Sequence, residues 1–298
     1  MSDEEIFDAD FLGRLRSLFF KLRRRKQLQR KGPQNTQVIG HTREFKDHRH
    51  YVPGDDFRNI DWKLYARLER IFIRLYEEVQ EFHVHIIIDR SKSMAAPYKD
   101  KRIAALRMAV ALAYLALGGG HKVSILSIGD DCRREIPPRK GQGHIHGMIQ
   151  HLVDMPFDAV TDLDSSLRQV RIGRDRRGMV FLLSDLFGQD PEQSAEVIAK
   201  TVKWPAETHV VQLINPAERD PTLDGELRLL DVESGEIRRM WLTQRDRERY
   251  RRVFDAFVDG INRTCVQRQI DHMLWRTDTQ FEDAFIELLS RGNSLAGA

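Results

Sequence analysis

Short apolar runs alternate with helical apolar periodicity along the chain from residue 82 onward. Val84–Ile88 and Val123–Ile128 are rich in β-branched residues and have the length of strands buried on both faces of a parallel sheet. Between them, apolar residues from Ile103 to Leu117 step by three and four. This spacing predicts a helix that ends at the three glycines 118–120.

The same alternation continues toward the C-terminus. Met179–Leu183 and His209–Ile214 predict two more strands, separated by a helix that begins at Pro191, and a further strand is predicted at 272–275. Other helices are predicted near 145–152, 163–172, 250–261 and 279–289. Because alternating strands and helices form βαβ units, we predict an α/β fold with a doubly wound, mostly parallel central sheet, Rossmann-like, and helices on both faces.

Changes in pattern predict the domain organisation. Residues 1–31 form a basic amphipathic segment, and residues 32–81 are dense in charged and aromatic residues without a clean period. The α/β domain is predicted over 82–290, followed by a short tail, 291–298. Within it, two alternating stretches around a Ser-Gly pair predict a hairpin insertion near 226–242.

The N-terminal segment is strongly basic although the whole chain is not. Nine basic residues against one acidic lie between Asp10 and Lys31, including the run Arg23, Arg24, Arg25 and Lys26. One interpretation is that the apolar face packs on the rest of the protein; the alternative is peripheral attachment to an anionic membrane surface through the basic face. The net charge of the chain is only +3, so nucleic acid is not expected as a partner.

Composition narrows the class of protein further. The 298 residues are 41% apolar and 31% charged, which is typical of a charge-rich globular protein. The acidic N-terminus does not resemble a secretory signal, and the longest apolar stretch is too short to span a bilayer. The two cysteines are far apart and outside any metal-binding pattern. We therefore expect a cytoplasmic protein, peripheral to the inner face of the membrane at most.

Oxygen-bearing side chains follow the predicted strands at the edge where ligands of doubly wound sheets bind. Asp89, Ser91 and Ser93 follow the first strand, Asp185 follows the strand 179–183, and Thr161 precedes a helix. Such hard oxygen ligands suit Mg²⁺ or Mn²⁺. The alternative is that the aspartate and the serines only cap the following helix.

This order of residues resembles the metal-ion-dependent adhesion site of the von Willebrand factor A domain. The resemblance implies that Ser91 and Ser93 bind the metal directly, that Asp89 and Asp185 hold it largely through water, and that Thr161 is a direct or water-linked ligand. It also implies that an acidic side chain of a partner completes the coordination. Ala159, Val160 and Leu186 stand where that family usually has glycine.

The segment before the first strand carries a longer signature. An EF dipeptide, Y-x-x-G-D-D-x-R-x-I-D-W, an A-R pair and D-x-S-x-S-M follow one another and resemble the bacterial family called domain of unknown function fifty-eight. The matching residues are Glu44, Phe45, Tyr51, Gly54, Asp55, Asp56, Arg58, Ile60, Asp61, Trp62, Ala66, Arg67 and Met94. The resemblance implies a partnership with a MoxR-type AAA+ ATPase in chaperone-like or assembly work.

Physical reasoning gives the signature two interpretations. Arg58 and Arg67 are expected to pair with Asp55, Asp56 and Asp61, holding the segment on the main domain beneath Trp62. The alternative is a role in docking a partner.

Other chemistry is weakly indicated. Three His-x-His pairs, among them His83 with His85, lack a third ligand at a recognisable spacing and are expected to be hydrogen-bonded or exposed. Neither a nucleotide-binding P-loop nor a G-x-S-x-G motif is present. We therefore predict a noncatalytic, metal-dependent protein-binding module, with an Mg²⁺-dependent phosphotransfer or hydrolytic enzyme using Asp89 as the alternative.

Overall fold

The computed structural model describes residues 6–7, 10–18, 43–78, 82–160, 162–173, 178–188, 191–201, 204–221, 225–231 and 235–291. The chain forms two compact units. The small unit comprises residues 29–81, and the main unit comprises residues 1–28 and 82–298. Arg23, Arg24, Arg25 and Lys26 lie outside the described residues, as does Thr161.

Strands and helices take up most of the described chain. The strands are β1 (Arg43–His50), β2 (Phe72–Glu78), β3 (His83–Asp89), β4 (Lys122–Ile128), β5 (Cys132–Lys140), β6 (Gly178–Ser184), β7 (Glu207–Ile214), β8 (Gly225–Leu230), β9 (Ile237–Leu242) and β10 (Asp271–Arg276). The helices are α1 (residues 11–18), α2 (Trp62–Leu68), α3 (Asp100–Gly118), α4 (Ile145–Asp154), α5 (Leu163–Gln169), α6 (Pro191–Thr201), α7 (Pro216–Arg219), α8 (Gln244–Gln267) and α9 (Phe281–Arg291).

The main unit contains a six-stranded sheet in the order β10-β7-β6-β3-β4-β5. Every neighbouring pair is parallel except β4 and β5. The predicted α/β fold with a mostly parallel sheet is confirmed. The edge strand β5 was not predicted, because its sequence, CRREIPPRK, buries only Ile136 and carries two prolines, which edge strands tolerate.

Helices cover both faces of this sheet. Successive residues of β3 point to opposite faces, so Ile86 and Ile88 join the apolar cluster beneath α3, α4 and α9, while Ile87 joins the cluster beneath α5, α6 and α8. Burial on both faces explains why the strands show continuous apolar runs. As predicted, α3 ends at the glycines; Gly120 has a φ of 79°, and His121 N–H donates to the Ala116 carbonyl at 2.9 Å.

The described part of the N-terminal segment packs on the main unit through its apolar face. Ile6, Phe11 and Leu15 are buried in the cluster on the α3 side of the sheet. The Phe11 ring lies 5.4 Å from the ring of Phe281 in α9. Residues 6–7 and 10–18 therefore follow the interpretation in which the apolar face is covered by protein.

In the small unit, β1 and β2 form an antiparallel pair, which the sequence pattern did not predict. Asp55, in the turn after β1, accepts two hydrogen bonds from Arg49, at 2.7 and 2.5 Å, and one from the Val52 N–H at 2.9 Å. The Arg49 hydrogen bond holds the pKa of the Asp55 carboxyl below its usual value. Gly54 has a φ of 106°, a conformation that favours glycine at this turn.

Asp61 connects the start of α2 to both strands of the small unit. Its Oδ1 caps α2 by accepting the N–H groups of Lys63 and Leu64 at 3.0 and 3.1 Å. Its Oδ2 accepts from His48 Nε2 at 2.9 Å and from Arg74 at 3.1 Å. The His48 hydrogen bond, the helix cap and Arg74 together lower the pKa of Asp61 to about 2.

The prediction that Arg58 and Arg67 pair with the signature aspartates is wrong. Asp55 pairs with Arg49 and Asp61 with Arg74, because the unpredicted strands place these arginines beside them. Arg58 and Arg67 are exposed, and neither forms an ion pair with a described residue. Two further signature residues have separate positions: Asp56 caps the 3-10 turn Phe57–Asn59 by accepting the N–H of Arg58, and Trp62 is 60% exposed.

Candidate metal centre

The carboxylate of Asp89 lies at the C-terminal end of β3 and is fully buried. Its Oδ1 accepts the Ser91 N–H at 2.9 Å, and its Oδ2 accepts the Ser184 hydroxyl at 2.5 Å. Ser184 is the last residue of β6, the parallel neighbour of β3. The carboxylate thus ties two adjacent strand ends together.

The two predicted serine ligands meet directly beyond Asp89. Ser91 Oγ lies 3.0 Å from Ser93 Oγ, with Ser91 buried and Ser93 half-buried. The capping alternative finds no support, because Ser91 makes no side-chain cap for the turn Lys92–Met94, and the N-cap residue of α3 is Lys99, which makes no side-chain cap either. The serine hydroxyls therefore contact each other, and that of Ser91 also contacts Asp89, instead of capping a helix.

Asp185 follows β6 and is also fully buried. Its Oδ1 accepts the Phe187 N–H at 3.0 Å, and its Oδ2 accepts from the Lys101 ammonium at 2.7 Å. Lys101, in the first turn of α3, has no exposed surface and also donates to Glu218 in α7. Lys101 and Glu218 were missed by sequence reasoning, since both stand in charge-rich stretches that are typical of solvated helix starts.

Negative charge exceeds positive charge in this buried cluster. Asp89, Asp185 and Glu218 bring three carboxylates against the one ammonium of Lys101. Burial and then the charge of Asp185 raise the pKa of Asp89 to about 6. Burial likewise raises the pKa of Glu218. Burial alone would lower the pKa of Lys101, but the attraction of Asp185 and Glu218 is stronger and raises it overall. With all groups ionised, the cluster has two uncompensated negative charges.

The loop before α5 reaches this edge through its backbone. Ala159 forms a parallel bridge with Ser91, and its carbonyl accepts the Lys92 N–H at 3.0 Å. Beyond Thr161, which lies outside the described residues, Asp162 N–H donates to the carbonyl of Gly129 at 3.2 Å. The chain before the predicted ligand is therefore anchored beside Ser91, and the chain after it is anchored to Gly129 at the end of β4.

A buried arginine, also missed from the sequence, supports that loop. The guanidinium of Arg90 is 2% exposed and pairs with Asp130 and Asp131 in the turn between β4 and β5. Its second terminal nitrogen, Nη1, lies 3.7 Å from Asp158 Oδ1. A Cβ added at Gly129 would overlap the Cβ of Ala159, so this position requires glycine.

Leu186, after Asp185, adopts a φ of 60°. This left-handed backbone is uncommon for a residue other than glycine. The Leu186 side chain is 1% exposed and belongs to the apolar cluster beneath α5, α6 and α8, while its N–H donates to Ser184 Oγ at 2.9 Å. Burial of the leucine side chain offsets the backbone cost at this position.

The donor set fits a small hard cation. Octahedral Mg²⁺ with bonds of 2.0–2.1 Å places neighbouring ligand oxygens about 3 Å apart, and the serine hydroxyls are separated by 3.0 Å. Within the described ranges, no group of three or more His, Cys, Asp or Glu side chains is arranged to hold a metal ion. An ion at this edge would thus depend on the serine hydroxyls, and it would offset the surplus negative charge.

The His83–His85 pair has a different arrangement. Both rings lie on one face of β3, 3.8 Å apart, and Ser124 Oγ is 3.1 Å from His83 Nε2 and 2.8 Å from His85 Nδ1. Burial lowers the pKa of His85 to about 4. These histidines are hydrogen-bonded, as expected from the sequence.

The fold and the site define an α/β protein with a cluster of oxygen ligands at the C-terminal edge of a mostly parallel sheet. Residues 47–257 match the family described as "Protein of unknown function DUF58". Because this match covers most of the chain, the protein belongs to that family, as its signature indicated. No helix within the described residues is long and apolar enough to cross a membrane.

The chain is also similar to individual relatives and to solved structures. The chain is 26% identical over 254 residues to "Uncharacterized protein Mb1516" of Mycobacterium bovis, covering 83% of this chain and 79% of that protein. It is 25% identical over 121 residues to "Uncharacterized protein YeaD" of Bacillus subtilis, covering 41% and 29%. The crystal structure of the conserved hypothetical protein BatB from Bacteroides thetaiotaomicron has a TM-score of 0.42 at 11% identity, covering 73% of this chain and all of that one. An aerotolerance-related membrane protein from Bacteroides fragilis has a TM-score of 0.43 at 12% identity, covering 70% and 98%.

Proposed function

We propose that the chain is a noncatalytic, metal-dependent protein-binding module of the von Willebrand factor A type. Ser91, Ser93 and Thr161 would hold Mg²⁺ or Mn²⁺, with Asp89 and Asp185 holding it largely through water. The observation that carries this proposal is the pair of serine hydroxyls 3.0 Å apart beside two fully buried carboxylates. When bound, the ion supplies a coordination position that an acidic side chain of a partner can fill.

The hydrogen bonds of the carboxylates favour water-linked coordination. Each oxygen of Asp89 and each oxygen of Asp185 already accepts one hydrogen bond from a protein donor. These bonds orient the carboxylates, and the second lone pair of each oxygen can still accept from an ordered water. The serine hydroxyl oxygens lie 3.0 Å apart beside these carboxylates, and they suit direct contact with the ion.

The same burial argues against the alternative of an enzyme that uses Asp89. A carboxylate nucleophile has to reach the phosphorus or carbon atom that it attacks. Asp89 has no exposed surface, and Ser91 and Ser184 engage its two oxygens. Incubating the pure protein with Mg²⁺ and phosphoester substrates tests this directly, and the proposal expects no turnover above background.

The proposed partner is a MoxR-type AAA+ ATPase or its client, in chaperone-like or assembly work in the cytoplasm or at the inner face of the membrane. Membership of the DUF58 family supports this choice through the resemblance described above. Nucleic acid is not expected, since the chain carries 48 basic against 45 acidic residues.

The binding experiment compares the full chain with variants against a MoxR-type ATPase of the same organism, in Mg²⁺ and in EDTA. Binding should require Mg²⁺ or Mn²⁺, with Ca²⁺ less effective because it prefers more ligands at longer distances. Ser93→Ala should reduce binding in Mg²⁺ to the level seen in EDTA. Ser290→Ala, at an exposed serine of α9, should bind as the unmodified chain does in both conditions. Equal binding in Mg²⁺ and EDTA would contradict the adhesion-site mechanism.

A further inference from the structure

The β8–β9 hairpin of the main unit presents one face entirely to solvent. Alternate side chains of paired strands share a face. The register places six exposed side chains on this outer hairpin face, in three cross-strand pairs, Glu226–Trp241, Arg228–Arg239 and Leu230–Ile237. The large apolar side chains are far from buried: Leu230 is 61%, Ile237 51% and Trp241 68% exposed.

The opposite face of the hairpin is partly covered. Leu227 and Leu242 are half-buried there, and Met240 is 41% exposed. A two-stranded hairpin is marginally stable unless it packs against something. The less exposed apolar side chains of the hairpin, Leu227 and Leu242, therefore lie on the inner face, and the outer face carries only exposed ones.

Two arginines face each other at the centre of the outer face. Arg228 lies directly opposite Arg239, an arrangement of like charges that destabilises a strand pair. Neither guanidinium forms a hydrogen bond or an ion pair with another described residue. By contrast, Arg238 on the inner face pairs with Glu236 at 3.2 Å. A carboxylate between Arg228 and Arg239 would offset the repulsion and could accept hydrogen bonds from both.

The hairpin is connected at both ends to the candidate metal centre. It is inserted between α7 and α8. Glu218 of α7 accepts from Lys101, which donates to Asp185, and Tyr250 of α8 donates its hydroxyl to the Glu218 carbonyl at 2.6 Å. The two helices that flank the hairpin are thus hydrogen-bonded to each other, and α7 is bonded to Lys101 of the candidate metal centre.

We propose that the outer hairpin face is a docking surface for an acidic, apolar segment of a partner protein. A carboxylate of that segment lies between Arg228 and Arg239, and its apolar side chains contact Leu230 and Ile237 on one side and Trp241 on the other. Arginine and tryptophan are the residue types that carry most binding energy in protein interfaces. The surface requires no ion, so it remains a binding surface even if the metal site fails its own test.

The test uses the full chain and a fluorescein-labelled peptide in which glutamate alternates with leucine and tryptophan. Fluorescence anisotropy should show binding that weakens with salt, about 5- to 20-fold in R228Q/R239Q because two exposed ion pairs are lost. R228K/R239K should retain part of the affinity. R263Q/R268Q neutralises two exposed arginines at the far end of α8 and should have no effect. Replacing glutamate by glutamine, or leucine and tryptophan by serine, in the peptide should each reduce binding.

The outcomes separate this surface from the metal site. Binding that persists in EDTA and in Ser93→Ala, but falls in R228Q/R239Q and in Trp241→Ser, supports the hairpin surface. No binding by the unmodified chain, or equal binding by R228Q/R239Q, overturns it. Vesicles containing phosphatidylserine form a further arm: arginine-dependent binding to vesicles in place of the peptide would show that the face takes a membrane and not a protein.

Discussion

Lys101→Met removes the ammonium bonded to Asp185 and leaves three carboxylates without the counter-charge that Lys101 provides. Lys101 and Asp185 are both fully buried and 2.7 Å apart. Removing one partner of such a pair costs about 3–5 kcal/mol of unfolding free energy. In a domain of this size, that loss lowers the melting temperature by roughly 10 °C in EDTA.

The same substitution should strengthen the response to Mg²⁺. The surplus negative charge rises from two to three, so the ion gains more by binding. An ion present at a hundredfold excess over its Kd stabilises a protein by about 2.7 kcal/mol. We expect Mg²⁺ to raise the unfolding free energy of Lys101→Met by about 1.4 kcal/mol more than it raises that of the unmodified chain. This difference is equivalent to tenfold tighter binding of the ion.

Thermal and urea denaturation in Mg²⁺ and in EDTA measure both effects. Lys99→Met is the matched control, because Lys99 is an exposed lysine two residues earlier. It should change neither the stability nor the Mg²⁺ increment. If Lys101→Met were as stable as the unmodified chain in EDTA, or if Mg²⁺ stabilised both equally, the charge argument for the site would be refuted.

Three other predictions concern separate parts of the molecule. The raised pKa of Asp89 means that ion-free stability falls as pH rises from 3.8 through about 6; in EDTA, Asp89→Asn should therefore remove this pH dependence, as urea denaturation at pH 5 and pH 8 measures, and should lose the stabilisation by Mg²⁺. Gly129→Ala should cost about 1–3 kcal/mol in urea denaturation through overlap with the loop before α5, and an unchanged midpoint would show that the loop can shift. Changing Arg23, Arg24 and Arg25 together to glutamate should reduce co-sedimentation with phosphatidylserine vesicles at low salt, and no binding by the unmodified chain would end the membrane hypothesis.

The sheet of the main unit was predictable because its strands are buried on both faces. Val84–Ile88 is apolar at every position except His85, and this pattern depends only on local sequence. β5 was not predictable, since its identity as a strand comes from pairing with β4 and not from its charged sequence. β1 and β2 were not predictable for the same reason: their charged and aromatic residues show no strand period, and the two strands are defined by pairing with each other.

Some residues of the candidate site could be predicted from local sequence and others could not. Asp89, Ser91, Ser93 and Asp185 could be found because each follows a recognisable strand, and the structure brings their side chains to one edge. Lys101 could not be found from its neighbours. It lies among Lys99, Asp100 and Arg102. Its partners are Asp185, which is 84 positions further along the chain, and Glu218, which is 117 positions further.

Crystals of the protein grown with Mn²⁺ would show whether the serines bind a metal, since the anomalous signal of manganese locates the ion. We expect a single strong peak about 2.2 Å from both Ser91 Oγ and Ser93 Oγ, absent from crystals of Asp89→Ala. A peak elsewhere, or none at these serines in the presence of saturating Mn²⁺, would contradict a metal centre at this edge of the sheet.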